Sequence, residues 1–371
     1  MSPEKGPIIR KAYAKINLTF EVLGKRRDGY HEIASVMQAI SLCDILSFEP
    51  HDGIQLACDV PELVSPNNLV YKAARLIQEL AQKGVSEEAR EASWRGSGGV
   101  RKDEFQTRPY TSADRSVQRG SPPQADAGGL VVDSPQDEGC PPTSLVPPPK
   151  NGGPRELKEG CETASLGSRG VAISLSKGIP LASGLGGGSS DAAVTLQVLN
   201  EMWDINLPRE RLTEVAAQVG SDVPFFAGGS PTALATGRGE RVEALPSPAK
   251  TWLVLLRPPI EMANKTREMY AHLDPSCFTK GQHARRLATM IRGRERVTNR
   301  QCYSVFDPLS LSLFPGMDHY RSQFLDAGAG EVHLAGAGPT LFTLVGGRVE
   351  GEEIFHRLRK QRLEAYLAET I

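Results

Sequence analysis

Four glycines crowd into the five residues Gly184-Leu185-Gly186-Gly187-Gly188, and Ser189, Ser190 and Asp191 follow at once. Glycine lets backbone N–H groups come close to a ligand and takes positive φ without steric cost. The β-prone run Val171-Ala-Ile-Ser-Leu175 leads into the loop. Behind it Ala192, Ala193, Leu196, Leu199, Met202 and Trp203 recur at three- and four-residue steps, the period of a helix. Strand, glycine loop and helix N-terminus aim free N–H groups and a positive dipole end at one place, which suits a phosphate. The hydroxyls of Ser189 and Ser190 stand where they could ligate a cation bridging phosphates. No lysine follows the glycines, so this is not the G-x-x-x-x-G-K-[ST] loop. It also departs from G-x-G-x-x-G, because three glycines run together and no acidic residue suited to a ribose stands about twenty residues on.

Three further polar residues stand in apolar surroundings: Lys15 and Asn17 on the polar face of the first strand, and Asp222 in the loop Gly220-Ser-Asp-Val-Pro-Phe-Phe-Ala-Gly-Gly229. With the cradle they suggest phosphoryl transfer. That reaction needs positioning, cations against developing charge, and a carboxylate near the accepting hydroxyl. Asp222 could take the hydroxyl proton, and Lys15 could hold Asp222 ionised while stabilising the moving phosphoryl group. Taken singly, Lys15 reads as a solvated strand residue and Asp222 as a helix cap or turn former. The sequence alone does not bring them together.

The elements that must position these groups follow from periodicity. Ile16, Leu18, Phe20 and Val22 alternate with polar neighbours, which predicts a strand with one buried face. Gly24 to Gly29 is a charged turn, Tyr30 to Ile40 the returning strand, and Asp44–Glu49 and Ile54–Cys58 two more short strands of a β meander. Ser65-Pro-Asn-Asn68 caps a helix whose stripe is Leu69, Val70, Ala73, Ala74, Leu76, Ile77 and Leu80. From 86 to 168 Pro, Gly, Ser and charges dominate, and we expect a disordered insertion there. A second helix follows Pro208, and Thr232–Thr236 is a short strand. Thr251–Arg257 reads as the central strand of a second domain. A helix lies near Lys265–His272, the basic stretch Lys280–Arg300 has a partial helical stripe, two strands flank a Gly-x-Gly turn at 336–338, and Glu353–Leu367 is a closing helix. Alternating strands and helices suggest an α+β sandwich. We place one domain at 1–248 and the other at 249–371.

The 371 residues carry a formal net charge of −1, so no basic field argues for nucleic acid or an anionic membrane. No run approaches the length of a membrane span. Six cysteines (Cys43, Cys58, Cys140, Cys161, Cys277 and Cys302) show no C-x-x-C spacing and read as reduced thiols of a soluble intracellular protein. No targeting segment is visible at the N-terminus.

The stretch Pro180-Leu-Ala-Ser-Gly-Leu-Gly-Gly-Gly-Ser-Ser-Asp-Ala-Ala193 resembles the phosphate-binding motif of the GHMP kinases. Three separated blocks narrow the resemblance to the 4-diphosphocytidyl-2-C-methyl-D-erythritol kinases of the non-mevalonate isoprenoid pathway. They are Ala14-Lys-Ile-Asn-Leu18 with Gly24-Lys-Arg-Arg-Asp-Gly-Tyr-His31, the glycine loop, and Gly220-Ser-Asp-Val-Pro-Phe-Phe226 with Gly237-Arg-Gly-Glu240. The resemblance implies the two-domain GHMP kinase fold: an N-terminal ribosomal-S5-like α/β domain and a C-terminal ferredoxin-like α+β sandwich. It implies that ATP, with Mg2+, phosphorylates the 2-hydroxyl of 4-diphosphocytidyl-2-C-methyl-D-erythritol. Asp222 matches the base, Lys15 its cationic partner, and Asn17 a contact to the methylerythritol end. Tyr30 and His31 match a cytosine-recognising pair, with Tyr270 as a second stacking aromatic. Asn68 and Lys177 match positions lining the adenine pocket. Pro180, Leu181, Ser183, Gly184, Leu185, Gly186, Gly187, Gly188, Ser189 and Ser190 match the triphosphate loop, Ser190 also the metal ligand, and Gly336–Gly338 the third glycine motif. The family commonly has Asn-Asp-Leu-Glu where this chain has Val305-Phe-Asp-Pro-Leu-Ser310. The implied partner is a small molecule alone, the protein being a monomer or weak homodimer in the plastid stroma of a eukaryote or otherwise the cytoplasm. Tyr30-His31 argues against another GHMP kinase, and intact Lys15, Asp222 and Ser190 against an inactive nucleotide-binding protein.

Overall fold

A computed structural model describes residues 6–82 and 169–371 of the chain. The expected insertion at 86–168 lies outside the described residues. The chain opens with two long antiparallel strands, β1 (Ile8–Lys25) and β2 (His31–His51), paired from Lys25 opposite His31 to Ile8 opposite Phe48 with register shifts between Tyr13 and Ala14, Asn17 and Thr19, and Val22 and Gly24. After β3 (Ile54–Cys58) comes α1 (Leu69–Gln82), where the Asn68 Oδ1 accepts from the Val70 N–H at 2.9 Å, the cap bond that starts a helix. Then β4 (Gly170–Ser176) leads through the glycine loop into α2 (Gly187–Met202), followed by α3 (Arg209–Val219), α4 (Val223–Ala227), β5 (Thr232–Gly237) and β6 (Arg241–Ala244).

These strands make a seven-stranded sheet in the order β3-β4-β2-β1-β8, with β5 joining β2 and β6; β8 is Tyr303–Ser304. The apolar stripes of α1, α2 and α3 cover one face, burying Val70, Ile77, Leu196, Leu199, Leu212 and Val215 with Leu46, Phe48 and Ile173. The second sheet is antiparallel, β11-β7-β10-β9, built from β7 (Trp252–Arg257), β9 (His333–Leu334), β10 (Leu341–Val345) and β11 (Glu364–Glu369). Around it run α5 (Lys265–Ala271), α6 (Gln282–Arg292), α7 (Phe306–Leu313), α8 (Met317–Asp326) and α9 (Arg348–Lys360). Ala14, Ile16 and Leu18 of β1 share one core with Leu253 and Leu255 of β7, Phe342 of β10 and Leu287 and Ile291 of α6. Among the described residues no helix is long and apolar enough to cross a membrane.

Several expectations are corrected. Asp44–Glu49 is the far half of β2, not a separate strand, and the opening is no meander. The strand β4 stands between β2 and β3, pairing parallel with β3. The polar face of β1 is buried too: Lys15, Asn17, Thr19 and Glu21 are all below 4% exposed. Of their polar side-chain atoms, all but Glu21 Oε1 find partners. Asn17 Nδ2 donates to Ser35 Oγ at 2.7 Å, Thr19 Oγ1 accepts from the Val36 N–H at 2.9 Å, and Glu21 accepts from the Ala284 N–H at 2.7 Å. Residues 223–227, expected as loop, are helical. The closing helix ends at Lys360, because Arg362 turns left-handed (φ 61°) and the chain re-enters the sheet with Leu367 on β11.

Candidate active site

The glycine loop is wedged between two other segments. The Leu185 carbonyl accepts from the Lys15 N–H at 2.8 Å, which ties the loop to β1. Gly184 takes φ 86°, and a Cβ there would lie 2.2 Å from the Ala335 carbonyl oxygen. Only glycine fits both the dihedral and the contact. The turn at 336–338 therefore packs directly on the loop.

Two cavities meet at this loop. The smaller, about 500 Å³, is lined by Asn68, Lys177, Pro180, Leu181, Ser183, Ser189, Asp191 and the glycines. The larger, about 980 Å³, is lined by Lys15, Tyr30, His31, Asp222, Arg238, Lys265, Tyr270, Phe278, Phe306 and Gly336. Gly184 and Gly186 line both. Of the residues singled out in the sequence, Asn17, Leu185 and Ser190 line neither. Leu185 points into the core and Ser190 is buried in the first turn of α2. Asn17 stands behind Lys15, its Oδ1 accepting from Lys15 Nζ at 2.8 Å.

In the larger cavity Lys15 Nζ is 3.5 Å from Asp222 Oδ2. Asp222 occupies the N-cap position of α4, yet its side chain makes no cap bond there. Lys15 is 3% exposed, so the solvated-strand reading does not hold. A buried ammonium needs a counter-charge, and Asp222 supplies it. The aromatic side divides in two. Tyr30 is exposed and carries the Arg238 guanidinium 4.7 Å over its ring, a cation–π contact. His31 stacks on Tyr270 with centroids 4.8 Å apart. Burial, and then the Lys25 charge, lower the His31 pKa, so the imidazole is neutral at pH 7. Burial, and then the Asp222 charge, raise that of the Tyr270 hydroxyl.

Two features escaped the sequence reading. Beneath the smaller cavity Lys177 Nζ donates to Asp191 Oδ2 at 2.8 Å and to Asp44 Oδ2, while Asp44 Oδ1 accepts from the Gly178 and Ile179 N–H groups, each at 2.7 Å. Burial, and then the Asp44 charge, push the Asp191 carboxyl up. Asp191 Oδ1 has no partner. Asp44 and Lys177 are 133 residues apart, and nothing local in the sequence links them. The other is Lys265, a single lysine with no motif around it, whose Nζ donates to the carbonyls of Ala182 and Gly338. Among the described residues no group of three or more His, Cys, Asp or Glu side chains could hold a metal ion.

Comparison with known proteins fits this geometry. The model of the GHMP kinase N-terminal domain matches residues 156–230, and that of the C-terminal domain matches 291–364. The 4-diphosphocytidyl-2-C-methyl-D-erythritol kinase of Dehalococcoides mccartyi is 35% identical over 361 residues, covering 97% of both chains. That of Pelotomaculum thermopropionicum is 32% identical over 353 residues, 94% of this chain and 93% of its own. Among solved structures, a 4-(cytidine 5'-diphospho)-2C-methyl-D-erythritol kinase superposes with a TM-score of 0.65 at 24% identity, over 98% of this chain and 99% of that one. A homoserine kinase from Cytophaga hutchinsonii reaches 0.55 at 15%, over 100% and 96%. The chain belongs to the 4-diphosphocytidyl-2-C-methyl-D-erythritol kinase family of the GHMP kinases.

Proposed function

We propose that the chain transfers the γ-phosphoryl group of ATP to the 2-hydroxyl of 4-diphosphocytidyl-2-C-methyl-D-erythritol, a step of the non-mevalonate route to isoprenoid precursors. The observation that carries the reading is the Lys15–Asp222 pair, 3.5 Å apart beside a glycine loop that walls both cavities. ATP lies in the smaller cavity, its adenine near Asn68 and Lys177 and its phosphates on the N–H groups of the loop and α2. The acceptor lies in the larger one. Asp222 takes the proton of the attacking hydroxyl as its oxygen bonds to phosphorus and ADP leaves. Lys15, 3.5 Å away, is the counter-ion of Asp222 and offsets charge on the moving group.

The aromatic and basic side of the larger cavity suits cytosine. Tyr30 and Tyr270 offer ring faces, and neutral His31 has one donor and one acceptor nitrogen, as reading a base edge requires. Magnesium would come with the nucleotide and neutralise phosphate charge when bound; Ser190, expected as its ligand, is buried and lines neither cavity, so no protein side chain is assigned to hold it. The chain divides at 248/249 in this reading, works as a soluble intracellular monomer or weak homodimer, in the plastid stroma or the cytoplasm, and takes no nucleic acid.

A coupled ADP-release assay tests the activity. Turnover with the cytidyl substrate, and none with mevalonate or homoserine, is expected. Equal turnover of mevalonate would overturn the substrate assignment.

A further inference from the structure

Lys265 opens α5 next to Asn264, which is left-handed at φ 52°. Its ammonium reaches away from its own helix and joins Ala182, in the approach to the glycine loop, to Gly338, at the end of the third glycine turn. It therefore pins together the two backbone segments that enclose the cradle. The side chain is half-buried and lines the larger cavity beside Lys15, Asp222, Gly184 and Gly186. Among the described residues no carboxylate stands within ion-pair distance of it. The charges that act on it most are Lys15 of β1 and Arg257 of β7, both positive, and Arg257 is itself paired with Glu364 at 2.8 Å. Asp222 is already engaged by Lys15. Burial first, then those two cations, pull the Lys265 pKa down to about 8. A half-buried cation among cations calls for an anion.

We propose that Lys265 is a phosphate-binding residue of the transfer site, clasping Ala182 to Gly338 in the free protein and presenting its ammonium to a phosphate chain when one enters. The chain is either the triphosphate of the donor or the diphosphate of the acceptor. The catalytic consequence rests on the kinase reading; the binding does not.

Calorimetry on the full-length protein at pH 7, with inorganic tripolyphosphate and separately with cytidine diphosphate, tests this. In Lys265→Met the affinity for one of the two probes should fall about tenfold, and in Lys265→Arg it should stay within about threefold, as a charge-assisted contact predicts. Loss confined to tripolyphosphate assigns the donor chain, and loss confined to cytidine diphosphate the acceptor chain. Binding of both probes unchanged in Lys265→Met overturns the proposal. So does an equal loss in Lys265→Arg, which would leave only the clasp. Should Lys265→Met not fold, the wild type still decides. Its affinity should fall between pH 7 and pH 9.5 as Lys265 loses its proton, and that fall should be reduced in Lys265→Arg, which keeps its charge; identical pH profiles would sink the idea. A wild type that binds the probes but turns over no cytidyl substrate would refute the kinase reading and leave Lys265 standing.

Discussion

Lys15 and Asp222 are 207 positions apart in the chain and 3.5 Å apart in space. Asp222→Asn keeps the shape and removes the base. Its kcat should fall by at least about 10²-fold, the usual weight of a general base, while ATP affinity measured by calorimetry stays near wild type. A mutant with wild-type kcat would remove Asp222 from the chemistry. Tyr30→Ala should raise KM for the cytidyl substrate several-fold, by about 1 kcal/mol of lost ring contact, and leave KM for ATP alone; equal rises would count against a cytosine role. Lys177 offers a test with a pH signature. Lys177→Met strands Asp44 and Asp191 without their cation, a loss of roughly 3–5 kcal/mol. The folded pKa of Asp191 is already raised, so the folded state binds the extra proton and stability falls as pH rises through that window. Without Lys177 the window widens. The melting-temperature deficit of the mutant should therefore be smaller at pH 6 than at pH 9.5, on either side of the wild-type Asp191 pKa of about 8. At this scale the sequence was informative where a residue sat in a motif, as Asp222 did, and silent where its partners were remote, as with Lys177 and Lys265.

Among elements, β1 does the most. Its apolar positions join the core between the two sheets, and its polar positions run as a buried ladder from Lys15 to Glu21. Period two made the strand legible, but it could not reveal that its polar side chains are buried as well, because a partner such as Ala284 of α6, which meets Glu21, comes 263 residues later. For the same reason β3 and β4 looked unrelated, although they pair across more than a hundred residues. The turn at Gly336 shows how tightly the elements close. A Cβ there would stand 2.9 Å from the Gly184 carbonyl oxygen and 3.2 Å from Lys15 Nζ, at φ 59°. Gly336→Ala should cost about 1–2 kcal/mol in backbone strain. By displacing Lys15 it should lower kcat by roughly tenfold to a hundredfold, read as a fall in both melting temperature and turnover.

At the scale of the molecule, the ends of the described segments are held together. Gln78 Nε2 donates to the Arg169 carbonyl at 2.8 Å, and the Arg169 guanidinium donates to the Ala81 carbonyl at 2.8 Å. Closing that gap therefore asks little of a linker. Replacing residues 90–165 with a short Gly/Ser segment should give a protein with wild-type kcat and a melting temperature within a few degrees of the full chain; insoluble protein would show that the stretch supports the fold. The helix-and-sheet layering was legible from alternating periods, whereas the common core of the two sheets was not, since it depends on which faces meet. The partition between the two cavities has a further consequence. At Gly184 and Gly186 it is bare main chain. A bisubstrate inhibitor laid across that ridge would bind amide groups that every replacement residue except proline also carries. Resistance could not arise by trimming a side chain there, and at Gly184 any added one would collide with Ala335.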